Sequence, residues 1–399
     1  MSMKVNYGLS VHGKEEIEKV AAVIKKSTQM GENTRNFENK ISKLFNKKYG
    51  LMVNSGSSAL LLAYEVLPFP RGSNIITPVL TFATTVSSMI KAGFVPNFVD
   101  VNLQTYCIDE YEIEKSINNK TKAISVPNLL GNLPNWLLIK KIAKKYNLII
   151  IEDSADALGA KINNVSSGKY SDISITSFYG SHIINCAGNG GYLGFNKKYL
   201  YENAKLLRSW GRSSSLYDEH SEKIENRFNI KIDGIQYDKK FVFEELGYNF
   251  EPSEVGAAFG LVQLKKLNYN LRKRSQVFRA HNKFFSKFND YFMTPVQNNN
   301  IYTGWLAYPL LVKKNKYFNR TELQIFLEKN NIQTRVVFTG NILRQPGFKK
   351  INCIKQTRYK NADKIMKEAL LIGCHHGLKD NHISFIHKTI YKFIKFKAK

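Results

Sequence analysis

The chain has 399 residues, of which 43% are apolar, enough to bury a large core spread over two closely packed domains. It has no run of about 20 apolar residues that would cross a bilayer, and "MSMKVNYGLSVHGKEE" carries no apolar stretch of secretory length, so a cytoplasmic protein with no membrane partner is expected. The formal charge is +27, but the lysines are scattered ("KKIAKKY", "KKNKY", "IKFKAK") without any nucleic-acid-binding signature, which favours anionic ligands in one pocket over a nucleic-acid partner.

In chain order, the first half alternates short β-branched runs with amphipathic stretches. The strand candidates are "YGLMVNSG", "NIITP", "VPNFVDV", "KAISVPN", "NLIIIEDSA", "ISITSF" and "GGYLGFN". Helical patterns lie between several of them, in "SSALLLAYEVL", "TTVSSMIKAGF" and "NWLLIKKIAKKYN". Apolar strands alternating with helices predict an α/β fold with a largely parallel sheet covered on both faces. The last two strands are joined without a helix, so one of them can run antiparallel. Ser209 to Lys240 is polar and weakly periodic and reads as a long loop. A helix follows across "EPSEVGAAFGLVQLKKLNYNLRKRSQVFRAHNKFFSKF". After it, "WLAYPLLVKK" and "TELQIFLEKNNI" predict a smaller C-terminal α/β domain. The expected division is 1–262 for the large domain and 263–399 for the small one. The four cysteines, Cys107, Cys186, Cys353 and Cys374, match no metal-ligand spacing and read as buried or idle thiols, so no metal site is expected.

Three constellations carry chemistry. In "VNSGSSALLLA" a strand ends in Ser-Gly-Ser-Ser and an apolar helix begins; free N–H groups and the helix dipole there can hold an anion, or the serines can simply cap the helix. In "LIIIEDSADALGA" the acids Glu152, Asp153 and Asp156 follow a buried strand, where ligands of open α/β sheets bind. A carboxylate there holds a protonated ring nitrogen, or caps or pairs within the protein. In "DISITSFYGSHIINCAGNGGYLGFN" a strand ends at Ser177, His182 stands in the loop, and Gly188, Gly190 and Gly191 allow a close backbone approach. A lone histidine of this kind can be structural or reactive. Phosphate site, ring-nitrogen partner and reactive loop, in this order, are the parts of a pyridoxal-phosphate (PLP) pocket.

These stretches, with "TQMGENTRNFE", "ITPVLTFATTV", "SFYGSH" and "LGYNFEPSEVGAAFGLVQLKKL", resemble the DegT/StrS family of PLP-dependent nucleotide-sugar aminotransferases over nearly the whole chain. The resemblance implies a fold-type I architecture, with a mostly parallel seven-stranded sheet in the large domain. In the aminotransferases a lysine that binds PLP stands where this chain has His182, and no lysine occurs here from Tyr170 through Asn196. A histidine at that place is similar to the NDP-4-keto-6-deoxyhexose 3-dehydratase branch. "SSALLLA" and "TRVVFTGNILRQPGF" resemble the same branch. Some of its members hold an iron–sulfur cluster through cysteines after "WGR". This chain reads "SWGRSSSLYDEH" and has no cysteine between Cys186 and Cys353, which resembles the members without a cluster.

Carried over by residue, the resemblance implies the following. Gly56, Ser57 and Ser177 bind the cofactor phosphate. Phe82 stacks on the pyridine ring, Asp153 pairs with its nitrogen, and Asp156 lies near its hydroxyl. Asn249 reaches the phosphate of a neighbouring subunit in a homodimer. His182 is the catalytic acid–base, suited by its near-neutral titration. Arg335, Asn341 and Arg344 contact the substrate or the glutamate carboxylate. His375 and His376 of "GCHHGL" are read as structural or surface residues. The implied activity is PLP/PMP-dependent loss of the 3-hydroxyl from an NDP-4-keto-6-deoxy sugar, with glutamate as amino donor and a 4-keto-3,6-dideoxy sugar nucleotide as product. GDP is preferred over CDP, and hexose and heptose both stay open. An aminotransferase with an unusual proton shuttle and a non-catalytic PLP-binding protein are the alternatives.

Overall fold

A computed structural model describes residues 3–216 and 227–398. All seven strand candidates form one sheet: β1 (Tyr49–Val53), β2 (Asn74–Pro78), β3 (Val95–Val99), β4 (Thr121–Pro127), β5 (Ile149–Asp153), β6 (Ile173–Ser177) and β7 (Gly191–Phe195), in the order β1-β7-β6-β5-β4-β2-β3. Neighbours from β6 to β3 are parallel, and β7 alone runs against both β6 and β1. The helix-free connection before β7 is what permits this, since an antiparallel partner needs no crossover. The strands are buried on both faces: β2 and β7 are buried throughout, and Ile76, Ile124, Ile150, Ile151, Ile173 and Ile175 are fully inaccessible. Helices Gly56–Glu65, Ala83–Lys91 and Trp136–Lys145 supply the cover. The chain therefore has the α/β fold-type I architecture.

The C-terminal part carries an antiparallel sheet of β8 (Phe292–Met293), β9 (Ala307–Val312), β10 (Thr334–Val336) and β11 (Ala369–Gly373), ordered β8-β9-β11-β10. Its apolar cluster also draws in Val5, Val79, Leu80, Phe98, Tyr106, Leu129 and Leu130. Two details differ from the periodicity. The pattern over residues 251–288 is two helices, Glu254–Lys265 and Leu267–Phe285, joined at Lys266 (φ −91°, ψ −2°). The stretch read as a long loop contains a hairpin, Ile230–Ile232 with Ile235–Tyr237. Within that stretch, residues 217–226 lie outside the described residues. No described helix is long and apolar enough to cross a membrane.

The topology fixes where chemistry can occur. Strands β1, β4, β5 and β6 share one direction, so Val53, Pro127, Asp153 and Ser177 end at the same edge of the sheet.

Candidate active site

At the end of β1, Ser55 caps helix Gly56–Glu65. Its Oγ accepts from Ser58 N–H at 3.1 Å and bonds Ser58 Oγ at 2.9 Å, and Ser58 Oγ donates to Asn54 Oδ1 at 2.6 Å. Ser55 and Ser58 therefore serve the cap. The N–H groups of Gly56 and Ser57 belong to the first turn, whose donors have no acceptor within the helix, and are left facing the open edge. Ser57 is exposed. Gly56 is required by space, because a Cβ there would lie 2.6 Å from Ser177 Cβ. Gly191 is tighter still, with Ser55 O at 2.2 Å from the position of a Cβ. The glycine cluster noted in the sequence thus lets the start of β7 press against the Ser55–Gly56 turn.

The three acids separate into different roles. Glu152 points into the interior, where Oε1 accepts from Asn128 Nδ2 and Ser154 Oγ and Oε2 from Ser174 Oγ and Ser171 Oγ. Asp153, 6% exposed, faces the open edge, its Oδ1 accepting from Ala155 N–H and its Oδ2 from Thr85 Oγ1, both at 3.1 Å. No lysine or arginine among the described residues bonds to it, and burial pushes its pKa up to about 6. Asp156 Oδ2 accepts from Leu130 N–H at 2.9 Å; burial and the Asp153 charge push its pKa up to about 7, against the pull of the Arg274 charge.

A carboxyl that holds its proton more tightly when folded favours the native state in acid, and its ionisation cost enters as pH rises through about 4 to 6. The cofactor-free Asp153→Asn variant is therefore expected to match the wild type below pH ~4. It should exceed it above pH ~6 by up to about 3 kcal/mol, the equivalent of Asp153's displacement from an ordinary carboxylate. Melting temperatures from pH 4 to 8 measure this, and a gap that does not change with pH would refute it.

His182 stands half-buried in the loop after β6. A turn from Tyr179 O to His182 N–H holds its backbone. Its Nδ1 lies 3.0 Å from Ser177 O. A carbonyl only accepts, so Nδ1 carries the proton and Nε2 keeps a free lone pair. The near-neutral titration expected from the sequence does not hold: burial pushes its pKa down to about 4, with a further push from the Arg274 charge, so the imidazole is neutral at pH 7. Tyr179 packs edge-on at 5.9 Å.

Phe82 caps helix Ala83–Lys91 with its ring 53% exposed, edge-on to Phe338 at 6.1 Å. Phe338 is held in the left-handed region (φ 44°), and Thr339 Oγ1 donates to Thr81 O at 2.7 Å beside it. Asn249 has an exposed side chain, and its carbonyl lies 3.5 Å from Asn54 Nδ2, next to the serine turn. Arg335, on β10, has its guanidinium over the Tyr7 ring at 5.4 Å and donates from Nη1 to Thr334 O at 2.7 Å. The polar groups of Asn341 and Arg344 are taken up elsewhere. Both bond Asp363, Arg344 in bidentate fashion at 2.6 Å and Asn341 Nδ2 at 2.7 Å. His375 and His376 are buried rather than superficial, one bonded to Asn6 O and the other to Arg274 Nε. Sequence reasoning did not single out Tyr7, Thr85, Leu130 or Arg274. Thr85 carries a signal in hindsight, since it sits one helical turn from Phe82.

The profile of the DegT/DnrJ/EryC1/StrS aminotransferase family matches residues 11–391. The chain belongs to this family. It is similar to the lipopolysaccharide biosynthesis protein RfbH of Salmonella typhimurium, 32% identical over 90% of this chain and 84% of that one. It is also similar to GDP-4-keto-6-deoxy-D-mannose 3-dehydratase of Escherichia coli O55:H7, 29% identical over 97% of this chain and 100% of that one. Among solved structures, GDP-4-keto-6-deoxymannose-3-dehydratase with a trapped PLP-glutamate geminal diamine superposes with a TM-score of 0.86 at 27% identity, covering 96% of this chain and 99% of that one. Family membership and the open-edge geometry agree: Gly56, Ser57, Phe82, Asp153, Ser177 and His182 all come from segments that end at one edge of the seven-stranded sheet.

Proposed function

We propose that the chain is a PLP/PMP-dependent 3-dehydratase acting on a GDP-4-keto-6-deoxy sugar, with glutamate as amino donor and without an iron–sulfur cluster. The observation that carries the reading is His182, alone in a loop without lysine, with Nε2 free and neutral. The donor set fits the cofactor. Unbonded N–H groups at Gly56 and Ser57, with the Ser177 hydroxyl, suit a phosphate. Asp153, buried with no basic partner among the described residues, suits a protonated ring nitrogen, and Asp156 is the candidate partner of a ring hydroxyl. The exposed Phe82 ring offers an apolar face. When bound, PLP or PMP supplies an electron sink for carbon chemistry. Asp153 would keep the ring nitrogen protonated. His182 Nε2 would take the proton lost from carbon and pass it to the departing 3-hydroxyl, which would leave as water; the low basicity that burial gives the imidazole favours the second transfer. Arg335 remains the candidate for an anionic substrate contact; Asn341 and Arg344 would first have to leave Asp363.

The test is incubation with PLP, glutamate and a GDP-4-keto-6-deoxy sugar. Ammonia and a 4-keto-3,6-dideoxy product support the reading, and an amino sugar in their place would make the chain a transaminase. Borohydride treatment of the PLP-loaded protein is expected to leave its mass unchanged. Lys47, the one buried lysine among the described residues, is bound to Gly168 O, Ser171 O and Ser171 Oγ. A stable pyridoxyl-lysine adduct would sink the non-covalent site. A homodimer with shared sites is part of the same proposal, supported by the exposed Asn249 side chain beside the serine turn. Mixed His182→Asn and Asn249→Ala subunits should regain activity, and no regain despite proven subunit exchange would count against it.

A further inference from the structure

Arg274 is the most completely buried cation near the site, with 0% of its surface exposed. Its partners are four backbone carbonyls and one imidazole. Nη2 donates to Ser181 O at 3.3 Å and His182 O at 3.1 Å, and Nη1 donates to Trp305 O and Leu306 O, each at 3.1 Å. Nε faces His376 Nδ1 at 3.3 Å. No carboxylate is among them. Burying a guanidinium costs several kcal/mol unless its surroundings compensate it, and here peptide dipoles from two separate segments and the His376 imidazole do so.

Those segments form a continuous chain across the site. Asp156 Oδ2 accepts from Leu130 N–H at 2.9 Å. Leu130 O accepts from Leu306 N–H at 2.8 Å. Leu306 O accepts from Arg274, and Arg274 donates to the carbonyl of His182. Leu130 is held in the left-handed region (φ 60°), a conformation that costs roughly 1–3 kcal/mol for a residue with a side chain. The next residue must be glycine, because a Cβ on Gly131 (φ 93°) would lie 2.9 Å from Trp305 Cα and 3.1 Å from Leu306 N. The strained turn is thus the price of bringing Leu130 against both Asp156 and Leu306.

We propose that Arg274 is a positioning residue for His182: the Ser177 carbonyl fixes the imidazole, Arg274 fixes the peptide that carries it, and the chain through Leu306 and Leu130 sets that peptide at a constant distance from Asp156. This rests on the dehydratase reading for its catalytic consequence, but not for its structural one. A general base misplaced by about 1 Å costs on the order of 10²-fold in rate.

The test compares PLP-loaded wild type, Arg274→Lys and Arg274→Ala. Histidine-¹⁵N NMR reports the His182 ring, its signal identified by its loss in His182→Asn. Wild type is expected to show one neutral tautomer with the proton on Nδ1, and Arg274→Ala a mixture of tautomers. In turnover, Arg274→Ala is expected to lose on the order of 10²-fold in kcat, with KM for the keto-sugar and Kd for PLP within about threefold. Arg274→Lys, and guanidinium ion added to Arg274→Ala, should each restore part of kcat. An unchanged His182 signal with kcat within about threefold of wild type would overturn the proposal. So would a loss of kcat that follows a matching collapse in melting temperature and PLP affinity without guanidinium rescue. If Arg274→Ala does not fold, Arg274→Lys carries the same NMR and kinetic comparison. If wild type releases no ammonia from any keto-sugar, the dehydratase reading fails, and the NMR comparison alone decides whether Arg274 positions His182.

Discussion

Replacing His182 with asparagine is expected to lower ammonia release from the keto-sugar by about 10²–10⁴-fold, the usual contribution of a general acid–base, while PLP still binds. The two effects separate because the groups proposed to hold the cofactor do not depend on the imidazole. Gly56 and Ser57 are organised by the Ser55 cap, and Asp153 by Thr85 and Ala155. Asparagine retains a donor for Ser177 O, so the loop should keep its course, but its amide nitrogen has no basic lone pair to take a proton. His182→Lys is expected to behave differently: its amine can capture PLP covalently, and the product should shift toward an amino sugar. Ammonia, amino sugar and bound PLP scored in one assay distinguish the three proteins. Near-parental dehydration by His182→Asn would mean that another residue is the base.

The second large effect is expected far from any titratable group. A Cβ on Gly191 would lie 2.2 Å from Ser55 O, 2.3 Å from Ser55 C and 2.7 Å from Gly56 N. These are backbone atoms, which cannot swing aside as a side chain would. Gly191→Ala should therefore destabilise the fold by about 1–3 kcal/mol, the usual cost of overpacking. It should also push the Ser55–Gly56 turn out of register with Ser177. Losing one charge-assisted hydrogen bond to a phosphate, about 1.5–3 kcal/mol, weakens PLP binding at least tenfold. Gly180→Ala is the control, since its Cβ would meet only Gly188 Cα, at an ordinary 3.9 Å. Equal PLP affinities for the two variants would show that the close approach of β7 does not shape the phosphate cradle.

Much of this was legible in the order of residues. All seven strand runs form the central sheet, and the strand reached without a helix is the one that reverses. Asp153 ends β5 and Asp156 follows it, so their place at the sheet's open edge could be read before any contact was known. The histidine in a loop without lysine was equally plain. Such features are local: strand runs, turn glycines and residues at strand ends depend on neighbours a few positions away.

What only the tertiary structure decided concerns partners distant in the chain. Asn341 and Arg344 carry the chemistry of an anion site in the sequence, yet Asp363, about 20 residues on, occupies both. Gly188, Gly190 and Gly191, around the start of β7, announced a close approach, but not that Gly191 meets Ser55, 136 residues earlier. Arg274 is one of 59 basic residues. Nothing in "LRKRSQ" distinguishes it from Arg272 or Lys273 beyond which face of the helix turns inward, and that face is chosen by packing against Trp305, Leu306 and the His182 loop. A side chain's propensity travels with the residue. Its desolvation and its hydrogen-bond partners come from elements the chain brings together only on folding, and these decided which arginine bonds the His182 loop and which carboxylate is buried at the sheet's edge with no basic partner among the described residues.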